Sequence, residues 1–440
     1  MKPMIVAGLL AAAAAPAAAQ DAHYWTENYG TYATLLGGVV VGKVPDLSAT
    51  FYNPGRLAFI ERPAITLTTR VYQVVSRQVD LAGTRYGESD LGSMGVRPSP
   101  SFAAGVLPVG DRRRWVLAYS LVTRQSDEER IDGHATITTP PSSGGQLYWD
   151  RRANESWYGL SASYRVSDKT GLGGTLFGAY RSQFQRTEFA TQTTGTPPAA
   201  ANLTRQFSYW DFRLLAKVGI TSQLGPWYLG AAVTSPGLSL FGAGDIATTE
   251  VSTGSPALYA WRVQEELDPD YKASWSVAGG VARTFGNVTG HLSAEWFAPI
   301  DRYVLLDADS VVPQDGRPAF DDDVYFARAE VLNWGVGVEV RQSETRAVYG
   351  HFKLDKSSRP KDSGVDLTYE RWGRYQVGGG YAFRLGQWDL VAGLSYSWGG
   401  DTFTSASVDV PPPGIPLPPG ATAEVTDRRL RVLFGFSVRF

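Results

Sequence analysis

The chain has 440 residues, 41 basic and 43 acidic side chains, a net charge of −2 and no cysteine. This balance excludes the broad basic surface that a nucleic-acid partner requires, and the lack of cysteine excludes a disulfide framework or a lipoprotein anchor. After the N-terminus no apolar run of about 18 residues occurs, so no transmembrane helix is expected, while 48 Gly, 22 Tyr and 13 Trp suit strands, tight turns and aromatic girdles.

Met1-Lys2-Pro3 followed by the alanine-rich run Met4 to Ala19 predicts a secretory signal peptide over residues 1–19, cleaved before Gln20. An anchor helix is the competing reading, but the run is too short and too weakly apolar to span a bilayer. Export of a cysteine-free chain fits a Gram-negative envelope. Residues 20–62 show no strand-like alternation. They contain Leu35-Leu-Gly-Gly-Val-Val-Val-Gly-Lys43 and then Val44-Pro-Asp-Leu-Ser-Ala-Thr-Phe-Tyr-Asn-Pro-Gly-Arg-Leu-Ala58, a compact stretch of small residues and turns.

From Ala64 a period of two takes over, and residues 63–440 read as one unit. Ile65, Leu67, Thr69 and Val71 share a face, as do Phe102, Ala104 and Val106. Trp115, Leu117, Tyr119 and Leu121 follow, then Tyr158, Leu160, Ala162 and Tyr164, then Leu172, Leu176 and Tyr180. Phe212, Leu214, Ala216 and Val218 alternate against Asp211, Arg213, Leu215 and Lys217, and Trp227, Leu229, Ala231 and Val233 come next. The scheme continues through Trp275–Val281, Leu292–Trp296, Leu332–Val340, Val348–Phe352, Tyr375–Phe383 and Trp388–Trp398. In the last segment Leu430, Val432, Phe434, Phe436, Val438 and Phe440 oppose Arg429, Arg431, Leu433, Gly435, Ser437 and Arg439.

Short turns near residues 110, 169, 224, 287, 344 and 386 alternate with long connections at 76–100, 125–155, 184–207, 234–273, 298–330, 354–373 and 399–427. A soluble β-sandwich would also hide one apolar face per strand, but it gives no such loop asymmetry. The expectation is an all-β, antiparallel up-and-down transmembrane β-barrel of about 14 strands in the bacterial outer membrane, with both termini on the short-turn side. The terminal Phe440 resembles the C-terminal insertion signal that such barrels present to their assembly machinery.

A lumen of that size is filled or conducts water, and residues 20–62 stand directly before the first strand. Ser48-Ala49-Thr50-Phe51-Tyr52-Asn53-Pro54-Gly55-Arg56-Leu57-Ala58 resembles the N-terminal hatch of the FadL/TodX-type outer-membrane hydrophobic-compound transporters. That family carries Asn-Pro-Ala where this chain has Asn53, Pro54 and Gly55. Leu267-Asp-Pro-Asp-Tyr-Lys-Ala-Ser-Trp275, followed by Glu295-Trp296, is similar to a family stretch in which a Pro-containing loop re-enters the barrel. The resemblance implies a barrel plugged by its N-terminus. It implies passage of long-chain fatty acids or other greasy molecules such as aromatic hydrocarbons, and a strand kink or gap that releases the ligand sideways.

Phe51 in the hatch, and Leu238, Leu240, Phe241, Leu258, Tyr259 and Trp261 in the connection 234–273, are the candidate substrate contacts. The loop residues would form an external capture groove or pack the loop's own small core. Lumen-facing charges are expected at Asp211, Arg213, Lys217, His291, Glu295, Glu339, Arg341, His351, Asp389, Arg429 and Arg431. They would pair with one another and with the hatch, and an arginine is also suited to a ligand carboxylate.

Gly37 to Lys43 matches the start of a phosphate-binding loop, but Val44 stands where a metal-binding hydroxyl belongs. With four histidines and no G-x-S-x-G, catalysis is not expected. No cofactor or metal is expected, and Asp321-Asp322-Asp323 lacks the spacing of a calcium loop. The expected partners are a hydrophobic small molecule, outer-membrane lipid and lipopolysaccharide, and barrel-assembly machinery, with the chain a monomer. A docking component of an envelope complex and a general porin are the alternative roles on the same fold.

Overall fold

The computed structural model describes residues 22–60, 64–82, 99–107, 114–137, 143–194, 199–253, 258–314, 316–360, 372–404 and 422–439. The expected signal peptide and Phe440 lie outside them.

The strands are β1 (Ala64–Ala82), β2 (Ser99–Leu107), β3 (Trp115–Ile137), β4 (Ser143–Arg165), β5 (Thr170–Thr193), β6 (Ala199–Leu224), β7 (Trp227–Thr234), β8 (Leu238–Ser252), β9 (Leu258–Leu267), β10 (Ser276–Phe285), β11 (Val288–Phe297), β12 (Ile300–Leu306), β13 (Val324–Arg328), β14 (Val331–Arg341), β15 (Arg346–Asp355), β16 (Arg374–Leu385), β17 (Trp388–Thr404) and β18 (Thr422–Arg439). Fourteen strands of the sixteen-stranded sheet form a closed antiparallel barrel, with β1 paired to β18. They fall where the period of two places them. β8 and β9 make a hairpin added to the upper half of β6, and β12 pairs with β13 as a separate sheet.

The two faces of each strand meet different surroundings. On β18, Leu430 and Phe434 are about half exposed, whereas Arg429, Arg431 and Leu433 are buried. The apolar face points outward and the charged face inward, as a lipid-exposed barrel requires. Aromatic rings band the outside at both ends. Trp115 meets Tyr164 with ring centroids 4.8 Å apart near the short turns. Trp275 meets Trp296 at 5.0 Å, and Tyr375 meets Trp398 at 5.8 Å, near the long connections.

β10, β11 and β15 have 10 residues each, the length that crosses a hydrocarbon layer on a tilted strand. β3 to β6 have 23 to 26 residues and rise roughly 30 Å further on one side. Much of 125–155 and 184–207, expected as loop, is therefore strand. Above the lipid band the outer face meets water, so the apolar alternation stops although the ladder continues.

Residues 22–60 run down the inside of the ring. Ala22 sits under the β12–β13 hairpin, where Ser358 donates to its carbonyl. The C-terminal part reaches β4, β5 and β6 near their short-turn ends. Helix α1 (Thr31–Leu35) begins where the Asp46 carboxylate accepts the N–H groups of Tyr32 and Ala33 at 2.6 and 3.0 Å. These are amides that a helix start leaves without an intrahelical partner. Burial raises the pKa of Asp46, and the donors from Ser48, Ala33 and Tyr32 act against that.

Helix α2 (Ala49–Tyr52) and the 3₁₀ turn Pro54–Phe59 complete the segment. It lies close to the wall because glycines leave room. A Cβ on Gly230 would stand 2.0 Å from the Val41 carbonyl oxygen, and one on Gly219 would stand 2.3 Å from Asn53 Oδ1.

Candidate ligand cavity

The hatch motif is a structural joint. Asn53 is fully buried; its amide donates to the carbonyls of Val41 at 3.0 Å and Ile220 at 2.9 Å, while its Oδ1 accepts from Gly55 N–H. Pro54 and Gly55 start the 3₁₀ turn against Gly173, Gly171 and Gly219 of β5 and β6. The other end of the segment is fastened to β15. Asp355 accepts from Trp25 N–H at 3.1 Å, the Thr26 hydroxyl at 3.2 Å and Asn333 at 2.8 Å. Lys353 Nζ donates to Asn28 Oδ1 at 2.6 Å and to the Trp25 carbonyl.

Between segment and wall lies a cavity with about 90 Å³ open to the centre of a water molecule, space for several waters. Phe51 reaches it from the segment, and Arg124, Trp157 and Lys217 reach it from the barrel. The Arg124 guanidinium stands 5.2 Å from the Phe51 ring and 5.0 Å from Trp157. Its nearest polar contacts are the Tyr24 carbonyl at 3.4 Å and the Tyr29 hydroxyl at 3.5 Å, and it is not ion-paired among the described residues. Lys217 Nζ lies 4.7 Å from the same Phe51 ring and 3.8 Å from Glu295 Oε1. Glu295 is itself engaged by Trp25 Nε1 and the Ser276 hydroxyl. Two cations thus flank one aromatic ring at the cavity edge, held by weak contacts.

Arg124 continues the inward alternation of Val116, Ala118, Ser120 and Val122, and a β-bulge brings its neighbour Gln125 inward as well. The β3–β4 register shifts between Thr123 and Gln125, so that Arg124 and Gln125 both line the cavity. A bulge re-aims a side chain in this way. The inward residues expected from sequence, Asp211, Arg213, Lys217, His291, Glu295, Glu339, His351, Asp389, Arg429 and Arg431, are all buried, while the Arg341 side chain is largely exposed. Arg124, Glu155, Arg181 and Lys353 were missed. Glu155 and Arg181 bond to each other at 2.9 Å, and Glu155 also holds Arg213 at 3.1 Å.

The loop candidates do not gather around this cavity. Leu238, Leu240 and Phe241 are exposed on the outer surface, where Phe241 stacks on Phe212. Tyr259 and Trp261 are exposed higher up on β9. Their register against β6, whose even-numbered residues point outward at this height, turns these side chains away from the interior. Among the described residues these side chains form no common groove. The Leu258 side chain lies outside what is described.

One stretch of wall beside the cavity is not a ladder. β7 stops at Thr234 and β8 starts at Leu238; both pair with β6, but β10, which pairs with β11 on its other side, pairs with β7 and not with β8. Opposite Ser235-Pro236-Gly237 runs the irregular stretch 268–275. Thr234, Ser235, Ala273 and Ser274 all line the cavity, and a Cβ on Gly237 would stand 3.5 Å from that of Ala273. Among the described residues no backbone hydrogen bond joins 235–237 to 268–275.

No family model matches the chain, and no curated protein does. Solved structures do. A Pseudomonas aeruginosa FadL homologue aligns with a TM-score of 0.65 at 12% identity, over 95% of this chain and 100% of that one. The Ralstonia pickettii toluene transporter TbuX gives 0.59 at 14% identity, over 94% and 99%. The P. putida toluene transporter TodX gives 0.58 at 13%, over 94% and 99%. The fold is that of the FadL/TodX-type outer-membrane channels. At such identities the likeness is one of architecture, and it extends along nearly the whole chain.

Proposed function

We propose that this chain carries hydrophobic compounds with a polar or anionic head, long-chain fatty acids among them, passively across the bacterial outer membrane. Residues 1–19 act as the signal peptide, 20–62 as the hatch and 63–440 as the barrel. Phe440 acts as the insertion signal. The observation that carries the reading is the cavity between hatch and wall, with Arg124 and Lys217 on either side of Phe51. A cation held by aromatic rings and weak contacts gains more from an incoming carboxylate than one already in a close ion pair. The ligand leaves sideways through the non-ladder wall at Ser235-Pro236-Gly237, which spares a greasy molecule the aqueous periplasm. The occupied lumen speaks against a general porin.

Binding of a fluorescent fatty acid to the purified protein tests this. Arg124→Gln together with Lys217→Gln is expected to weaken binding of the acid at least tenfold while leaving its methyl ester within threefold. Equal affinity of the wild-type protein for acid and ester removes the role given to these cations. Unchanged growth and uptake of hydrophobic substrates after gene deletion favours a docking role instead.

A further inference from the structure

The roof of the cavity belongs to a different body from its floor. Tyr271, 3% exposed, hangs from the stretch 268–275 and lines the cavity from above. Its ring lies 4.4 Å from the guanidinium of Arg181 on β5 and 4.4 Å from that of Arg213 on β6. Its hydroxyl accepts from Arg328 Nη2 at 3.0 Å. On the other side it joins the cluster of Phe207, Tyr209, Leu305, Leu306, Val324 and Phe326.

The stretch that carries Tyr271 is tied to the β12–β13 hairpin. Asp270 N–H donates to the Leu305 carbonyl at 3.0 Å, Lys272 N–H donates to the Tyr303 hydroxyl at 2.9 Å, and Lys272 Nζ lies 4.2 Å from the Tyr303 ring. The hairpin in turn is keyed to the tall β6–β8 wall. Asp322 accepts from Arg205 Nε at 3.1 Å and from the Thr248 hydroxyl at 2.9 Å, and Arg205 also reaches the carbonyls of Asp322 and Asp323.

We infer that residues 268–275, 300–314 and 316–328 form one hinged lid over the cavity, fastened by Tyr271 between Arg181 and Arg213, by Asp322 on Arg205 and Thr248, and at its rim by Asp309, Gln314 and Arg317 on Arg262, Tyr259 and Glu250 of the β8–β9 hairpin. Its β12–β13 part connects to β11 and β14 through irregular backbone at 298–299 and 329–330, its stretch 268–275 joins β9 to β10, and neither part shares a ladder with the barrel. Entry from the long-loop side displaces the Tyr271 ring. The arginines it leaves keep their carboxylate partner, since Glu155 stays within 2.9 Å of Arg181 and 3.1 Å of Arg213. Opening leaves those pairs intact but parts Arg205 from the buried Asp322 carboxylate, so this second fastening sets most of its cost. The inference rests on the uptake reading for its purpose, and on contacts alone for its mechanics.

The native chain has no cysteine, so placed thiols report cleanly. In Ala278→Cys, a cavity-lining thiol is offered to a membrane-impermeant maleimide added outside intact cells. Tyr271→Ala is expected to speed labelling at least tenfold. Tyr271→Phe, which keeps the ring for both arginines, stays within threefold. Separately, Thr248→Cys with Asp322→Cys, joined by a short bifunctional thiol reagent, is expected to lower uptake at least tenfold relative to the single-cysteine variants treated alike. Heat-modifiable migration on gels verifies a folded barrel in every variant. Labelling unchanged by Tyr271→Ala, or uptake undiminished by the cross-link, overturns the lid. A labelling difference in a protein that takes up nothing leaves the lid standing and removes the uptake reading.

Discussion

Asp355→Asn isolates what holds the hatch in the ring. The carboxylate serves three donors, Trp25 N–H at 3.1 Å, the Thr26 hydroxyl at 3.2 Å and Asn333 Nδ2 at 2.8 Å. An asparagine of the same shape keeps Trp25 N–H and Asn333 on its uncharged Oδ1 and turns an NH₂ toward the Thr26 hydroxyl. Hydrogen bonds to a charged group contribute about 1.5–3 kcal/mol each. Weakening two charge-assisted bonds to neutral strength, by about 1 kcal/mol each, and losing the third costs about 3 kcal/mol of local stability, on the order of 10²-fold in the opening equilibrium. Hydrogen exchange read by mass spectrometry follows it directly, because the Trp25 amide is one of the donors. Exchange at 22–28 is expected to rise on the order of 10²-fold. Exchange at 53–60 and in β10 and β11 stays as in the parent, since Asn53 and the ladders hold those amides. A change below threefold at 22–28 refutes the reasoning. So does an equal rise in the barrel strands, which would make Asp355 a support of the barrel and not of the segment.

Asn53→Ala leaves the carbonyls of Val41 and Ile220 without their buried donor, at about 1–3 kcal/mol each; exchange at 39–60 rises, and Asn53→Asp fails to rescue it because a carboxylate cannot donate. Gly237→Cys with Ala273→Cys places two Cβ atoms about 3.5 Å apart across the non-ladder wall, within the range a disulfide accepts. The oxidised form is expected to lose uptake at least tenfold and to recover it on reduction, while equal uptake in both forms moves the exit elsewhere. Removing Phe440 lowers the yield of folded protein in the outer membrane several-fold without altering the affinity of what does fold, as quantitative gels and ligand titration will show.

What the sequence makes legible follows from which surroundings constrain a residue. Lipid constrains every second residue over about ten positions, so Leu332, Trp334, Val336 and Val338 announce their strand unaided, and all are exposed on the outer face. Above the lipid the constraint ends, and the upper parts of β3 to β6 pass for loops although their ladders continue through Ile137↔Ser143 and Thr193↔Ala199. The turn at Asn53-Pro54 was legible because an amide side chain before a proline serves a local turn, the 3₁₀ start at Gly55.

The cavity was not legible, and the reason is the sequence distance over which its residues are chosen. Trp25 donates to Glu295, 270 positions away, and Lys353 reaches Asn28, 325 positions away. An inward position tolerates Gly, Lys, Glu or Phe according to what the hatch presents opposite it, so no period marks it. Gln125 shows this most sharply. A simple alternation through Thr123 and Gln125 cannot turn both Arg124 and Gln125 inward, and one inserted residue in the β3 ladder does so. Beside it the Arg124 guanidinium meets two aromatic rings and, among the described residues, no ion-pairing carboxylate, an arrangement that strand pairing does not require and that a ligand head group would explain.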